Sequence, residues 1–256
     1  MNLSLSDRTA VVCGSTQGIG LGIARKLAEY GASVILLARN ESLLRKVKDS
    51  LPGDIHGYLL ADFSKDNFTQ VTSELSKRTV DILINNTGGP DPGLLHQASL
   101  DELSLAFQMH VKWSHELTKS VIPSMKEATY GRIINIISTS VKVPIPGLGV
   151  SNTIRGAMAS WSKTLSVELG PFGITVNNIL PGFVATGRLD QIIDDNVKKN
   201  NASREAVIEQ MTRTVPVRRF GKIEEIGDLA AFLASPKASY ITGVSIPIDG
   251  GRTGAL

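Results

Sequence analysis

The sequence predicts a single α/β domain, built on a doubly wound, Rossmann-type parallel sheet of about seven strands with helices on both faces. Three observations predict this fold. Short apolar segments alternate with longer amphipathic segments along the whole chain, which is typical of strand and helix in turn. The 256 residues, 42% of them hydrophobic, suffice for one substantial core. No change in composition marks a second domain within residues 1–256.

The first half of the chain alternates regularly between the two kinds of segment. Strands are predicted in "TAVVCG", "SVILLAR", "IHGYLLAD" and "DILINN". Helices are predicted between them, in "IGLGIARKLAEYG", "ESLLRKVKDSL" and "KDNFTQVTSELSKR". Because strand and helix follow each other in turn, we expect the strands to be parallel and both faces of the sheet to be covered.

The second half begins with a long predicted helix, "LDELSLAFQMHVKWSHELTKSVIPSM". Strands follow in "GRIINIIS", "ITVNNILP" and "GVSIPI", separated by helices in "AMASWSKTLSVELG" and "IEEIGDLAAFLAS". A polar, partly helical insert at 187–214 comes after the sixth strand and is either a lid or a surface helical hairpin. We expect a lid, because open α/β sheets bind ligands beyond the carboxyl ends of their strands.

Composition and charge exclude several classes of partner. The net charge of +3 arises from basic residues spread along the chain, which differs from a nucleic-acid footprint. The one cysteine, Cys13, excludes an intramolecular disulfide, and no group of residues has the spacing of a metal site. Neither a leader pattern nor a run of about 18 apolar residues occurs. We therefore expect a cytoplasmic protein without metal, nucleic-acid or membrane partners.

A glycine-rich turn, "CGSTQGIG", follows the first predicted strand and leads into a helix. It places Gly14, Gly18 and Gly20 where the backbone can turn tightly and approach a pyrophosphate, and the helix N-terminus adds oriented N–H groups. A glycine-rich turn alone is weak evidence, but the strand before it and the helix after it provide the context of a dinucleotide site. The sequence therefore predicts nucleotide binding at this turn.

The end of the second strand indicates which dinucleotide binds. In "SVILLARN", Ala38 occupies the place where an acidic residue would bind the ribose hydroxyls of NAD, and Arg39 follows it. A guanidinium matches a 2′-phosphate in charge and in hydrogen-bonding geometry. The alternative is a solvated arginine that opens the next helix. We expect NADP, with NADPH favoured over NADH.

Three further motifs follow the glycine turn in order: "INNTGG" at 84–89, "PGFVAT" at 181–186 and "SYITGVSIPIDGG" near the C-terminus. With them the chain resembles the short-chain dehydrogenase/reductase family from about residue 5 to residue 251, and it is similar in overall pattern to the 3-oxoacyl-carrier-protein reductases. The resemblance implies a homotetramer. It also implies that the cofactor contacts Gly14, Ser15, Thr16, Gly18, Ile19, Gly20, Asp62, Asn86, Gly88, Pro181, Gly182, Val184 and Thr186.

The reaction centre departs from the pattern of the family it resembles. Ser138, at the end of the fifth strand, matches the family's substrate-orienting serine. Thirteen residues later Ser151 replaces the family's tyrosine, and Arg155 replaces its lysine. His110 replaces the asparagine of the preceding helix. Three of the four catalytic positions therefore differ.

These replacements change the proton chemistry more than the binding chemistry. A serine hydroxyl is a weaker acid than a tyrosine, and a guanidinium holds ribose hydroxyls without relaying a proton. His110 is either a replacement acid or a structural histidine, and a water held by Ser151 is the other candidate donor. No other tyrosine is expected at the site; the chain has Tyr30, Tyr58, Tyr130 and Tyr240.

The predicted function is an NADP-dependent oxidoreductase that interconverts a carbonyl group and a secondary alcohol, on a ketone, a 3-oxoacyl thioester or a sugar. The partners expected are this small-molecule substrate and further copies of the chain. One alternative is a cofactor-binding protein without redox turnover, acting as a sensor or an assembly partner. Another is a non-redox lyase that resembles the halohydrin dehalogenases, which share the arginine but keep the tyrosine and lose the glycine turn.

Overall fold

Seven strands form one parallel sheet in the computed structural model, which describes residues 3–65 and 67–255. They are β1 (Thr9–Cys13), β2 (Ser33–Ala38), β3 (Gly57–Leu60), β4 (Ile82–Asn85), β5 (Gly131–Ile136), β6 (Ile174–Pro181) and β7 (Ser245–Ile248). Their order across the sheet is β3-β2-β1-β4-β5-β6-β7, so the winding reverses between β1 and β4. The predicted doubly wound sheet is confirmed, and the reversal marks the edge where such sheets bind ligands.

The described part of the chain contains nine α-helices, which cover both faces of the sheet. They are α1 (Gly18–Glu29), α2 (Glu41–Ser50), α3 (Phe68–Leu75), α4 (Leu100–Phe107), α5 (Trp113–Glu127), α6 (Gly149–Leu169), α7 (Gly187–Asn200), α8 (Arg204–Arg213) and α9 (Ile223–Ala234). One apolar cluster joins α1, α2 and α9 to the sheet, and a second joins α3, α5 and α6. Within the described residues, none of the helices has the length and apolar composition needed to cross a membrane.

Two α-helical segments and a π-helical turn replace the single long helix predicted at 100–125. The first segment, α4, begins with a capping box formed by Ser99 and Glu102. The π-helical turn, Gln108–Lys112, contains His110 and leads directly into α5. π-Helical turns inside α-helices frequently lie at functional sites. This one lies on the chain between β4, which borders the reversal point, and β5, the next strand of the sheet.

A row of polar side chains, the asparagine row, crosses the sheet from β4 to β7. Asn85, Asn135, Asn178 and Ser245 are paired in register on neighbouring strands. The side chains of Asn85 and Asn135 are joined at 2.8 Å, those of Asn135 and Asn178 at 3.1 Å, and those of Asn178 and Ser245 at 3.1 Å. Ser162 of α6 accepts a hydrogen bond from Asn135 and donates one to Asn178. The row therefore fastens α6 to the centre of the sheet.

The insert at 187–214 consists of α7 and α8. Leu189, Ile193 and Val207 are buried between the two helices. Arg204, at the start of α8, forms ion pairs with Asp190 and Asp194 of α7. The insert is thus a helical pair with a small core of its own.

Candidate cofactor and substrate site

A cleft of about 500 Å³ lies at the carboxyl ends of the strands. Its walls come from the glycine turn before α1, the segments that follow β2 to β6, and the start of α7. Of the residues predicted to form the site, the cleft is lined by Gly14, Thr16, Gly18, Ile19, Arg39, Asp62, Asn86, Gly88, Arg155, Pro181, Gly182, Val184 and Thr186. Residues from distant parts of the sequence therefore meet at one surface.

The glycine turn is built by contacts that leave no room for side chains. Gly14 has φ of +58°, and a Cβ there would lie 2.8 Å from the carbonyl oxygen of Asn86. A Cβ at Gly20 would lie 2.2 Å from the carbonyl oxygen of Gly14. The first turn of α1 holds no acidic residue, and Gln17 gives it no side-chain cap. Free amides and the positive end of the helix dipole therefore face the cleft, as an anionic group requires.

Two predicted residues support the glycine turn from behind. Ser15 is fully buried, and both its amide and its hydroxyl approach the carbonyl oxygen of Leu37 at 3.4 Å. Asn86 donates to the carbonyl oxygen of Cys13 at 3.1 Å, which ties the end of β1 to the end of β4. Burial raises the pKa of the Cys13 thiol to about 12, so the thiol is not a nucleophile at neutral pH.

One end of the cleft carries opposite charges after β2 and β3. Arg39 follows Ala38 of β2 and is exposed. The carboxylate of Asp62 accepts hydrogen bonds from the hydroxyl of Ser64 at 2.7 Å and from its amide at 3.1 Å. These bonds, with Lys65 and Arg39 nearby, lower the pKa of Asp62. Arg39 has no carboxylate in ion-pair distance among the described residues, so its guanidinium remains available for an anionic ligand.

Arg155 is a buried cation at the other end of the cleft. It projects from α6, is 8% exposed, and donates from Nη1 to the carbonyl oxygen of Ile136 at 2.9 Å. Its Nε has no hydrogen-bond partner among the described residues, and none of their carboxylates pairs with it. Burial lowers the pKa of Arg155 to about 10, so the side chain is still charged at neutral pH. A buried, unpaired guanidinium is costly unless a ligand completes its hydrogen bonds.

His110 lies beside Arg155 but is enclosed. The imidazole is 3% exposed, and its Nδ1 is 2.6 Å from the hydroxyl oxygen of Thr87. Burial and the nearby charge of Arg155 hold the pKa of His110 well below 6.5. The ring is therefore neutral at pH 7 and does not line the cleft. These observations favour the structural histidine over the replacement acid.

The two predicted serines lie next to Arg155 in the fold. Ser138 comes two residues after Ile136, whose carbonyl binds Arg155, and its hydroxyl oxygen accepts the amide of Ser140 at 3.1 Å. Ser151 lies in the first turn of α6, four residues before Arg155 and on the same helix face. Neither serine is part of the cleft lining. All four tyrosines lie within the described residues, and none of them lines the cleft either.

Four polar residues of the cleft were missed by the sequence analysis: Gln17, Ser64, Thr87 and Arg188. Thr87 lies inside "INNTGG", between two predicted cofactor residues, and its hydroxyl is the partner of His110. Arg188 follows "PGFVATG" and donates from Nη2 to the carbonyl oxygen of Pro90 at 3.3 Å. Because Thr87 and Arg188 lie inside or next to recognised motifs, the sequence could have indicated both residues.

Comparisons with known proteins agree with this geometry. A family model described as enoyl-(acyl carrier protein) reductase matches residues 14–253. The NADPH-dependent reductase BacG of Bacillus subtilis is 35% identical, over 96% of this chain and 98% of that protein. The 3-oxoacyl-[acyl-carrier-protein] reductase FabG of Buchnera aphidicola is 32% identical, over 97% and 98%. The crystal structure of L-sorbose reductase from Gluconobacter frateurii, complexed with NADPH and L-sorbose, has a TM-score of 0.93 at 27% identity and full coverage of both chains.

Proposed function

The chain belongs to the short-chain dehydrogenase/reductase family, and from this membership we propose that it is an NADPH-dependent reductase that converts a carbonyl group to a secondary alcohol. The observation that carries the proposal is the glycine turn, where Gly14 packs so closely against Asn86 that there is no room for a side chain. A turn of this kind next to an uncapped helix N-terminus suits a pyrophosphate. The reductases BacG and FabG are similar in sequence to this chain over nearly their whole length.

The cofactor fits the residues at both ends of the cleft. Arg39 offers charged hydrogen bonds to a 2′-phosphate, and Ala38 adds no repelling carboxylate. At the other end, the buried Nε of Arg155 lacks a partner that a ribose hydroxyl would provide. Asn86 and Gly88 line the wall between these ends. Because Arg155 carries no acidic partner, its charge also stabilises negative charge that develops on a substrate oxygen.

The reaction requires a hydride at the carbonyl carbon and a proton at the carbonyl oxygen. NADPH, when bound, supplies the hydride and becomes NADP⁺. Ser138 orients the substrate oxygen: its own oxygen is occupied by the amide of Ser140, so its hydrogen is free to donate to the substrate. A water held by Ser151 delivers the proton, since the imidazole of His110 is neutral and enclosed. Aqueous solvent restores the proton after turnover.

The insert at 187–214 acts as a lid over the substrate end of the cleft. Gly187, Arg188, Leu189 and Ile192, all in α7, contribute to the cleft wall. Lids of this kind exclude water from the reacting groups and complete the binding site. The substrate is a ketone, a 3-oxoacyl thioester or a sugar; relatives named for a 3-oxoacyl substrate and for L-sorbose support the last two.

The family resemblance also supports a homotetramer. Leu100 and Phe107 of α4 and Val167 of α6 are exposed apolar side chains, with Leu100 80% exposed and Val167 69% exposed. Burial of such residues between copies removes apolar surface from water. Light scattering at micromolar concentration tests this, and a monomeric mass would refute it.

Purified protein should bind NADPH and oxidise it in the presence of a panel of ketones, 3-oxoacyl thioesters and sugars, followed by the loss of NADPH absorbance. Ser138→Ala is expected to lower kcat by roughly 10²-fold with NADPH affinity unchanged, because it removes a donor to the substrate oxygen. Ser160→Ala, at an exposed position of α6, is the control. Tight NADPH binding without oxidation by any member of the panel would favour the cofactor-binding protein without turnover.

A further inference from the structure

The charges of the cleft are unequally distributed. Three guanidinium groups line it, those of Arg39, Arg155 and Arg188, and Asp62 is the one carboxylate in its lining among the described residues. Arg39 and Asp62 share the end next to β2 and β3, so their charges offset each other there. Neighbouring strands lie about 4.8 Å apart, so β2, which precedes Arg39, and β5, whose carbonyl at Ile136 binds Arg155, are separated by about 14 Å across the sheet. The end that holds Arg155 and Arg188 is therefore strongly positive.

Arg188 and Arg155 both reach the loop that follows β4. Nη2 of Arg188 lies 3.3 Å from the carbonyl oxygen of Pro90. A Cβ built at Gly89, the preceding residue, would lie 3.8 Å from Nη2 of Arg155. The two guanidinium groups thus lie beside the loop that follows β4, one buried and the other exposed. An anionic group beside this loop would meet both.

Arg188 has spare hydrogen-bonding capacity because the acids nearest to it in α7 are taken. Asp190 and Asp194 pair with Arg204 instead. Among the described residues, no carboxylate forms an ion pair with Arg188, and its one hydrogen bond to them goes to a backbone carbonyl. A guanidinium carries five N–H donors in a fork that matches a carboxylate. Arg188 is exposed and lines the cleft, and its guanidinium N–H groups other than the one bonded to Pro90 have no hydrogen-bond partner among the described residues.

The cofactor's own anionic groups have other partners. The pyrophosphate is expected at the N-terminus of α1 and the 2′-phosphate at Arg39, both on the β1 and β2 side of the sheet. Thr186, just before α7, does pack against the glycine turn, since a Cβ at Gly18 would lie 3.4 Å from its methyl group. Arg188 itself bonds to Pro90, in the loop that follows β4. Its guanidinium therefore lies across the winding reversal from Arg39, which follows β2.

We propose that Arg188 is a specificity-determining residue that binds a carboxylate of the substrate, so that the preferred substrates are oxo acids. This inference rests on the proposed reductase function and names its substrate class. The guanidinium holds the carboxylate from the lid, while Leu189 and Ile192 of the same helix offer apolar surface to the carbon chain. Binding at Arg188 selects substrates whose carbon chain places the carbonyl group near Ser138.

The test uses oxo acids of five to nine carbons, with the carbonyl at the second, third or fourth carbon, each compared with its own methyl ester. Binding to the protein saturated with NADP⁺ is measured by calorimetry, because oxidised cofactor and ketone cannot react. Turnover with NADPH is measured on the same pairs. The variants are Arg188→Gln and the control Arg213→Gln, which removes an equal charge from the exposed face of the same helical pair.

We expect at least one oxo acid to bind roughly 10-fold or more tightly than its ester, and Arg188→Gln to erase this preference while Arg213→Gln keeps it. Equal binding of acids and esters by the unmodified protein would overturn the inference, as would a preference that survives Arg188→Gln. Loss of NADP⁺ affinity in Arg188→Gln would also overturn it and assign the residue to the cofactor. If the preference for acids depends on Arg188 but no ketone is reduced, the inference stands and the reductase function fails.

Discussion

The two ends of the cleft differ in what forms them. The cofactor half, made of the glycine turn, α1 and the segments after β2 and β3, is formed largely by backbone: tight turns, helix amides and glycines packed against main chain. The reaction half, made of the segment after β5, the start of α6 and the π-helical turn, is formed by side chains, with Arg155, His110 and Thr87 packed together. By the sequence prediction, the first half keeps the pattern of the family and the second departs from it at three positions.

This difference teaches which part of a dehydrogenase scaffold can change independently. The glycine turn requires residues without side chains, so almost any substitution of its glycines changes the shape of the backbone. A reaction centre is specified by which side chains are present, and new ones can occupy the same places on the same helix. We therefore expect nucleotide binding and proton transfer to be separable properties of this fold.

Gly14→Ala gives the largest expected effect, because it disturbs the backbone of the cofactor half. The new Cβ would lie 2.8 Å from Asn86 at a residue whose φ is +58°, so the turn must shift. We expect NADPH binding to weaken by roughly 100-fold or more, measured by fluorescence titration. Gly57→Ala on β3, where no heavy atom lies within 4 Å, is the control. Undiminished affinity in a folded Gly14→Ala protein would contradict the backbone account of the glycine turn.

Arg39→Ala tests the side chain that we expect to select NADPH over NADH in the cofactor half. Loss of a charged hydrogen bond to the 2′-phosphate, worth about 1.5–3 kcal/mol, should reduce the preference for NADPH over NADH by roughly 10- to 100-fold. The ratio of the two dissociation constants is the measurement. Arg45→Ala removes a comparable exposed charge from α2, where Arg45 pairs with Glu41, and should leave the ratio unchanged. Equal affinities for NADPH and NADH in the unmodified protein would refute the NADP assignment.

His110→Asn tests whether the reaction half uses an ionisable imidazole. Burial and Arg155 depress the pKa of folded His110 below 6.5, so the unfolded chain binds a proton that the folded protein does not as pH falls through 6.5. The free energy of unfolding should therefore fall with decreasing pH, by at most about 1.4 kcal/mol per pH unit from this group, and be constant above 6.5. Urea unfolding at about pH 5 and about pH 7 should show a smaller difference in His110→Asn.

His110→Asn also distinguishes a structural role of His110 from a role in proton transfer. If His110 is structural, turnover of His110→Asn should show the same dependence on pH as the unmodified enzyme, with NADPH affinity intact. His96→Asn, at an exposed position, controls for the loss of one imidazole. A turnover rate that falls by 10²-fold in His110→Asn alone would return His110 to the list of proton donors.

The smallest expected effect on NADPH binding comes from exchanging the reaction half itself. Ser151→Tyr combined with Arg155→Lys should change NADPH affinity by less than about threefold, since an ammonium also holds ribose hydroxyls. Turnover should gain a dependence on pH from the new tyrosine, whose ordinary pKa near 10 a neighbouring lysine lowers. Rates measured across pH provide the check. A large loss of NADPH binding would show that the two halves are not separable.

The sequence predicted more of the cofactor half than of the reaction half. The alternation of strands and helices, the glycine turn and the position of Arg39 were predictable because each depends on residues close together in the chain. The π-helical turn at His110 was not, since its composition is that of an ordinary helix and packing decides its hydrogen bonds. The lowered pKa of His110 depends on its burial and on Arg155, and the contact between Arg188 and Pro90 joins residues 98 positions apart. No local pattern encodes such contacts.

The asparagine row has a consequence for protein engineering. Ser162 lies seven residues after Arg155, two helical turns along the same face of α6, and is hydrogen-bonded to both Asn135 and Asn178. These bonds set the rotation and depth of the helix independently of the side chains at 151 and 155. The start of α6 is therefore a fixed support for substitutions: new pairs of residues can be screened at these two positions, and each pair will project from the same two backbone points.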